Sequence, residues 1–271
     1  MIKEYHTPAT IEEAVSIKGR FASLASFLAG GTQVNAKAFP RSPEHVISLE
    51  RLALTDVRVT QTEWIIGACC TIQQLIEAAD VPDCVRTAAR HMINRNIRNM
   101  ATIGGELAGN QSCGSLIPVL VALEATVDVA AGGATDTIPA GQYLTDERED
   151  LITHVRIPKS DPPRSVAVEK HSLTANDPAI ITAAVSLTKD GNVITAPIIA
   201  VGGVAKHVIR LQAVEEELQG KPLPARETIE RSVADHVSPA ADIRGSVEFK
   251  RYLAGVLVAN TILGACQQEG W

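Results

Sequence analysis

Two short glycine-rich segments contain the residues whose types and spacing best fit a chemical role. Each has a pair of glycines with a threonine one or two positions away, and neither carries a charged side chain. Glycine lets backbone N–H groups approach a phosphate closely, and a threonine hydroxyl adds a further donor. A side chain at any of the four glycines would hold the phosphate away from those amides. The segments are Ala29-Gly30-Gly31-Thr32-Gln33-Val34 and Thr102-Ile103-Gly104-Gly105.

Two such segments in one domain predict a site for both phosphates of a dinucleotide. Either one alone also fits an ordinary turn, since glycine is the default residue wherever φ is positive. A third pair, Gly132-Gly133, is predicted to be such a turn, because it separates two runs of alternating strand character. The position of the first two pairs ahead of helix-forming residues favours ligand binding there.

The elements around the two segments would position them. The run from Phe27 to Ala29 is predicted to be a buried strand, and Gln33 to Ala38 a short helix after the first glycine pair. The second pair is predicted to lie in a flat loop that feeds a buried helix from Leu116 to Leu123. Pro118 fits only the first turn of that helix, where its missing N–H has no intrahelical partner to lose.

Further helices and strands of the N-terminal part follow from capping patterns and periodicity. Thr10 to Glu13 and Thr71 to Gln74 have the capping-box pattern, and Pro82 predicts the start of another helix. Strands are predicted at 45–49, 57–60, 64–68, 126–131, 134–138 and 151–157.

The C-terminal part is predicted to be a separate domain. A linker with three prolines, 158–164, precedes three strands, at 165–170, 180–188 and 193–201, and then three helices, at 209–218, 225–236 and 246–266. We therefore expect an α+β fold with two domains. Residues 1–160 would form one domain of two α+β subdomains, and residues 165–271 a smaller domain with an antiparallel sheet and helices.

Composition excludes several classes of partner. The chain has 271 residues, of which 45% are hydrophobic and 3% aromatic, and its net charge is −6. It contains no run of basic residues, which argues against nucleic acid. It also lacks an apolar stretch of the ~18 residues that a membrane span needs. Because no signal-peptide core is present either, we expect a cytoplasmic protein.

Other site motifs are missing from the sequence. It has no phosphate-binding G-x-x-x-x-G-K-[ST], no G-x-G-x-x-G, no H-E-x-x-H and no G-x-S-x-G. The five cysteines form no C-x-x-C pair, so neither zinc nor iron–sulfur ligation is predicted, and the seven histidines are scattered. We accordingly predict no metal site and no catalytic side chain in this chain.

Five stretches, in the same order, resemble one known family. The segments AGGTQ and IRNMATIGG resemble the FAD-binding subunit of the molybdenum hydroxylases, the xanthine dehydrogenase and carbon monoxide dehydrogenase flavoproteins. The other three similar stretches are Ile66-Gly67-Ala68 with Thr71, DLITHVRIP at 150–158, and the tail at 242–253.

The resemblance implies non-covalent FAD in a domain of the PCMH type, bound by the two glycine segments. It adds Ser115, which stands where the family has an aspartate, and Ile152 and Lys170, which match a strand-end aliphatic residue and a lysine. A lysine near the flavin would stabilise the anionic reduced ring. The sequence departs from the family at Gln33, where an aspartate is usual, and at Glu106, where an asparagine is usual.

The resemblance also implies a role as an electron-transfer subunit that works only in a complex. A molybdenum-binding large subunit would hydroxylate a purine, another heterocycle or an aldehyde. A small subunit with 2Fe-2S clusters would pass the electrons to this FAD, and from there they would reach NAD or another acceptor. Two alternatives remain at this stage: a self-sufficient FAD-dependent reductase, and a non-enzymatic assembly subunit that has lost FAD.

Overall fold

The computed structural model describes residues 2–34 and 43–268. Its fold is α+β, as predicted. The strands are β1 (Glu4–His6), β2 (Ala25–Leu28), β3 (His45–Ser48), β4 (Val57–Val59), β5 (Glu63–Gly67), β6 (Thr126–Ala131), β7 (Ala134–Pro139), β8 (Leu151–Pro158), β9 (Ser165–His171), β10 (Ile181–Asp190), β11 (Val193–Gly202) and β12 (Ile209–Arg210). The α-helices are α1 (Ile11–Phe21), α2 (Ile72–Glu77), α3 (Asp83–Arg90), α4 (Arg95–Arg98), α5 (Ile103–Gly109), α6 (Ile117–Ala122), α7 (Ala140–Thr145), α8 (Gln212–Leu218), α9 (Arg226–His236) and α10 (Val247–Gln268).

The described chain forms two compact units that do not follow chain order. Unit 1 contains residues 1–81, 94–109 and 126–157, and unit 2 contains 82–93, 110–125 and 158–271. Two segments of the predicted N-terminal domain therefore pack into unit 2. The domain boundaries themselves stay a prediction.

Unit 1 is built on two sheets. In the smaller one, β1 and β2 both pair in parallel with the central strand β3, and α1 packs on this sheet. Ala14 of α1 and Ile47 of β3 are fully buried in the same hydrophobic core. The larger sheet has five strands in the order β4-β5-β8-β6-β7. Its β6-β7 hairpin turns at Gly132 and Gly133, both with positive φ, so the third glycine pair is a turn as predicted.

Unit 2 is built on one antiparallel sheet with the order β12-β11-β10-β9. The long helix α10 packs against β9 and β10, and α9 packs against α10. The helices α3 and α6 contact the same sheet. Its core is almost entirely aliphatic, which is what the low aromatic content requires.

Local capping explains where several helices begin. Thr71 and Gln74 form the predicted capping box, with both reciprocal hydrogen bonds present. Thr10 caps α1 by accepting from the N–H of Glu13 at 3.2 Å. The Glu13 carboxylate, however, accepts from the N–H of Ala9, one residue before the position that a capping box uses.

Several predicted elements differ in the structure. Ile209 and Arg210 form the edge strand β12 rather than the start of a helix, because they pair with β11. The short helices α4 and α7 have no strong periodicity and were not predicted. The helix predicted at 33–38 lies largely outside the described residues. Among the described helices, none is both long and apolar enough to cross a bilayer.

Candidate functional site

The first glycine segment leaves the carboxyl end of β2 in unit 1. The strand is held there by its parallel pairing with β3, and the N–H of Leu49 donates to the carbonyl of Leu28 at 2.9 Å. Gly31 has φ +71°, which only glycine adopts without strain. Residues 29–34 are half-buried. Within the part of the chain that the structure describes, the N–H groups of residues 30–33 donate to no protein acceptor.

The first segment lies directly against the chain that leads into the second. A Cβ atom added at Gly30 would be 1.6 Å from the carbonyl oxygen of Met100. The side chain of Gln33 contacts Gly109, where an added Cβ would be 3.3 Å from its amide group. The structure thus brings the two glycine segments together, as the sequence predicts. The protein's own backbone therefore requires a glycine at position 30.

The second segment is a helix rather than a flat loop. Gly104 and Gly105 lie in the first turn of α5, and a Cβ at Gly104 would be 2.6 Å from the Cβ of Ala68. The prediction of a loop here was wrong, because Thr102 caps the chain into a helix: its hydroxyl accepts from the N–H of Gly105. Thr102 is 5% exposed.

The N–H groups of this first turn are already used within the protein. They bond Ile103 N to Cys70 O (3.1 Å), Gly104 N to Ala68 O (2.9 Å), Gly105 N to Thr102 Oγ1 (3.0 Å) and Glu106 N to Thr102 O (2.9 Å). The first two bonds hold α5 against the turn after β5 and the other two are made to Thr102, so none of the four amides is available to a phosphate. The sequence could not show this, because Ala68 and Cys70 are distant in the chain.

The other predicted site residues are divided between the units. Ile152 is buried at the second position of β8 in unit 1, next to a bulge in the pairing of β8 with β6. Ser115 and Lys170 belong to unit 2. Ser115 does not cap the following helix, since Leu116 occupies the N-cap position and makes no side-chain capping bond.

Lys170 lies on β9, and backbone carbonyls surround its ammonium group. Its Nζ donates to the carbonyls of Asp177 (2.8 Å), His91 (3.0 Å) and Ala175 (3.4 Å). Burial lowers the pKa of Lys170, and the charge of Asp177 opposes that shift. The three donors of the ammonium are thus engaged by carbonyls of the protein.

The two glycine segments differ in how many backbone N–H groups they leave for a phosphate-bearing ligand among the described residues. In the described chain the N–H groups of residues 30–33 donate to no protein acceptor, and their turn has positive φ at Gly31, a backbone arrangement that can bind anions. The α5 segment supports this turn by packing, and its own amides are occupied. Within the described residues, backbone donors for an anion are therefore offered by the first segment rather than by the second.

Two family models cover nearly the whole chain. Residues 1–160 match the FAD binding domain in molybdopterin dehydrogenase. Residues 167–265 match the carbon monoxide dehydrogenase flavoprotein C-terminal domain.

Similar proteins and structures cover the chain end to end. YgfM of Escherichia coli K12 is 35% identical over 271 residues, which span 100% of this chain and 98% of YgfM. The carbon monoxide dehydrogenase medium chain of Hydrogenophaga pseudoflava is 28% identical and is matched over 96% of its length by 97% of this chain. A solved structure of carbon monoxide dehydrogenase from that organism superposes with a TM-score of 0.92 at 27% identity, covering 99% of this chain and 98% of the other.

Proposed function

Because the chain belongs to the FAD-binding medium subunits of the molybdenum hydroxylases, we propose that it is the electron-transfer subunit of such a complex. FAD is its cofactor. The observation that carries the proposal is the match of both family models in chain order, together with the uncommitted N–H groups of residues 30–33.

The residues of this chain have the task of binding and orienting the cofactor. When bound, FAD supplies the capacity to accept and release electrons. The amides of residues 30–33 would hold its pyrophosphate, and Thr32 would add a hydroxyl donor. Gly104 and Gly105 would act indirectly, because their helix supports the backbone around Gly30. Ser115, Ile152 and Lys170 complete the proposed set of binding residues.

The electrons would come from a partner chain. The five cysteines of this protein are all free thiols, and no three of them converge in the residues that the structure describes. Burial raises the pKa of Cys69, Cys70 and Cys84 to about 11. We therefore place the 2Fe-2S clusters in a small subunit and the hydroxylating molybdenum site in a large subunit.

The acceptor is proposed to be NAD or another electron acceptor. The medium chain of a carbon monoxide dehydrogenase and the medium subunit of a nicotine 6-hydroxylase are among the relatives, at 28% and 29% identity. Related medium subunits thus belong to enzymes that are named for different substrates. The substrate would accordingly be chosen by the partner subunit rather than by this chain.

The test compares the isolated FAD-loaded chain with the chain recombined with its partners. Metal analysis first shows the isolated chain to be free of molybdenum and iron. We expect flavin reduction by dithionite, or by NADH if NAD is the acceptor, followed by reoxidation with a dye. We expect no hydroxylation of a purine, another heterocycle or an aldehyde until the large and small subunits are added.

Two results would overturn the proposal. Sustained substrate hydroxylation by the metal-free isolated chain would make it a self-sufficient enzyme. Failure of the chain to retain FAD after reconstitution, with activity of the assembled complex unchanged, would make it an assembly subunit. A variant with Thr32→Val should bind FAD more weakly than wild type, and Thr135→Val in the exposed β7 strand should not.

A further inference from the structure

Three side chains with metal-binding atoms converge on one face of the small parallel sheet in unit 1. Glu4 and His6 are two residues apart on β1, so both point to the same face of the sheet. His45 begins the neighbouring strand β3 and is directly in register with Glu4. The pairing of two strands thus joins residues that are far apart in the sequence.

The three donor atoms form a nearly equilateral triangle. Nε2 of His6 is 3.2 Å from Nδ1 of His45, and Oε2 of Glu4 is 3.4 Å from that Nδ1 and 3.6 Å from the Nε2 of His6. Zinc bonds of roughly 2.0–2.1 Å at tetrahedral angles require ligand atoms about 3.3–3.4 Å apart. The three edges lie around that value.

Hydrogen bonding alone explains only one edge of the triangle. An N–H of one histidine donating to the other ring accounts for the 3.2 Å contact. Both contacts of the carboxylate are longer than an ordinary N–H···O bond of about 2.7–3.2 Å. A shared cation accounts for all three distances together.

The protein holds both imidazole rings in place. Phe21, at the end of α1, stacks on His45 with ring centroids 3.6 Å apart and planes 12° from parallel. The rings of His6 and His45 are also stacked, at 5.5 Å. The two histidine side chains are 15% and 12% exposed, whereas Glu4 is 57% exposed. The ligand set therefore has two fixed members and one that can close from the solvent side.

We propose that Glu4, His6 and His45 form a binding site for one divalent zinc ion. Two imidazoles and one carboxylate suit zinc, and water would fill the fourth position on the side of Glu4. The site is at the amino end of β3, whereas the glycine segment leaves the carboxyl end of β2, which runs parallel to β3. The ion would tie β1 to β3 and stabilise the start of the chain, separately from the flavin site.

The test titrates zinc chloride into the full chain, loaded with FAD and previously stripped of metal with a chelator. Isothermal titration should show one saturable site in wild type, and zinc should raise the melting temperature because it binds only the folded chain. X-ray absorption at the zinc edge should show two imidazole nitrogens. The variants Glu4→Gln and His45→Gln should each weaken binding by more than the roughly 10- to 100-fold that loss of a supporting partner costs.

Two controls separate a lost ligand from a lost fold. His236→Gln removes an exposed histidine on α9 and should bind zinc like wild type. Glu4→Gln alters a largely exposed side chain, so its melting temperature without zinc should equal that of wild type. The proposal is overturned if wild type shows no saturable zinc site, or if the double variant Glu4→Gln/His45→Gln retains one of unchanged affinity.

Discussion

At the scale of single residues, Gly30 shows how closely the first glycine segment is fitted to the protein. Its Cα faces the peptide carbonyl of Met100, and an added Cβ would be 1.6 Å from that oxygen. The neighbour is backbone, so it cannot rotate away as a side chain could. A substitution here disturbs the packing of unit 1 before it affects any cofactor.

We expect Gly30→Ala to lower the free energy of unfolding by about 3 kcal/mol or more, even with FAD in excess. Gly132→Ala is the matched control: that glycine has φ +55° and open space around it, so only backbone strain of about 1 kcal/mol is expected. Urea unfolding of both variants gives the measurement. If Gly30→Ala unfolds like wild type and loses only its flavin, the glycine serves the cofactor alone.

Lys170 illustrates how a predicted ligand residue can also have a structural role. Its ammonium donates hydrogen bonds to three backbone carbonyls. One is at the end of α3, and two are in the loop that joins β9 to β10. Charge-assisted bonds of this kind are stronger than neutral ones. The residue thus fixes that loop, whatever its effect on the flavin.

At the scale of elements, a polar network ties four adjacent strands of the five-stranded sheet. Asp128 on β6 is 5% exposed and accepts from Nε of Arg156 on β8, at 2.9 and 2.8 Å. It also accepts from the hydroxyl of Thr137 on β7 at 2.7 Å. Arg156 in turn donates to Glu63 on β5 at 2.7 Å. The buried carboxylate of Asp128 and its partner Arg156 therefore connect four of the five strands.

We expect Asp128→Ala to cost about 3 kcal/mol of stability, because it leaves the guanidinium of Arg156 without its main partner. Asp136→Ala on β7 is the control. Its carboxylate accepts only locally, from the N–H of Thr137 at an exposed position, so a change within about 0.5 kcal/mol is expected. Chemical denaturation of the two variants measures the difference, and equal losses would show that the network adds no stability.

At the scale of the whole molecule, an ion pair near the start of α10 makes stability depend on pH. Lys250 is 4% exposed, and its Nζ lies 2.8 Å from Asp242 and donates to the carbonyl of Ala240 at 2.9 Å. The hydrogen bond from Lys250 lowers the pKa of Asp242 below its usual value, and the N–H of Arg244 adds to the shift.

A carboxyl group whose pKa is lower in the folded state stabilises the fold above its unfolded pKa of about 3.9. That contribution is lost as the pH falls through the folded pKa. We therefore expect wild type to exceed Asp242→Asn in unfolding free energy by a constant amount from pH 7 to 5, and by less below about pH 4. Urea titrations at several pH values measure this, with Asp235→Asn on α9 as the exposed control. A difference that stays constant down to pH 3 would contradict it.

The residues predicted to bind FAD belong to two compact units. The glycine segments and Ile152 belong to unit 1, and Ser115 and Lys170 belong to unit 2. Unit 2 receives Ser115 through the segment 110–125, which contributes α6 to the packing against β10 and β11.

The sequence alone determined the features that depend on neighbouring residues. The capping box at Thr71, the Gly132-Gly133 hairpin and most of the strand positions follow from local hydrogen bonding and from the period of the side chains. The resemblance of ordered motifs to one family correctly predicted the α+β fold and FAD as the cofactor. Such features can be predicted without knowing the tertiary contacts of the residues.

Only the tertiary structure decided what each glycine and histidine contacts. The amides of α5 are used by Ala68 and Cys70, and Gly30 meets the backbone of Met100, so the two glycine pairs have unlike roles. His6 and His45 meet only because β1 and β3 pair in parallel. Contacts between residues far apart in the chain depend on strand register and on helix packing. Neither can be predicted from a local sequence pattern.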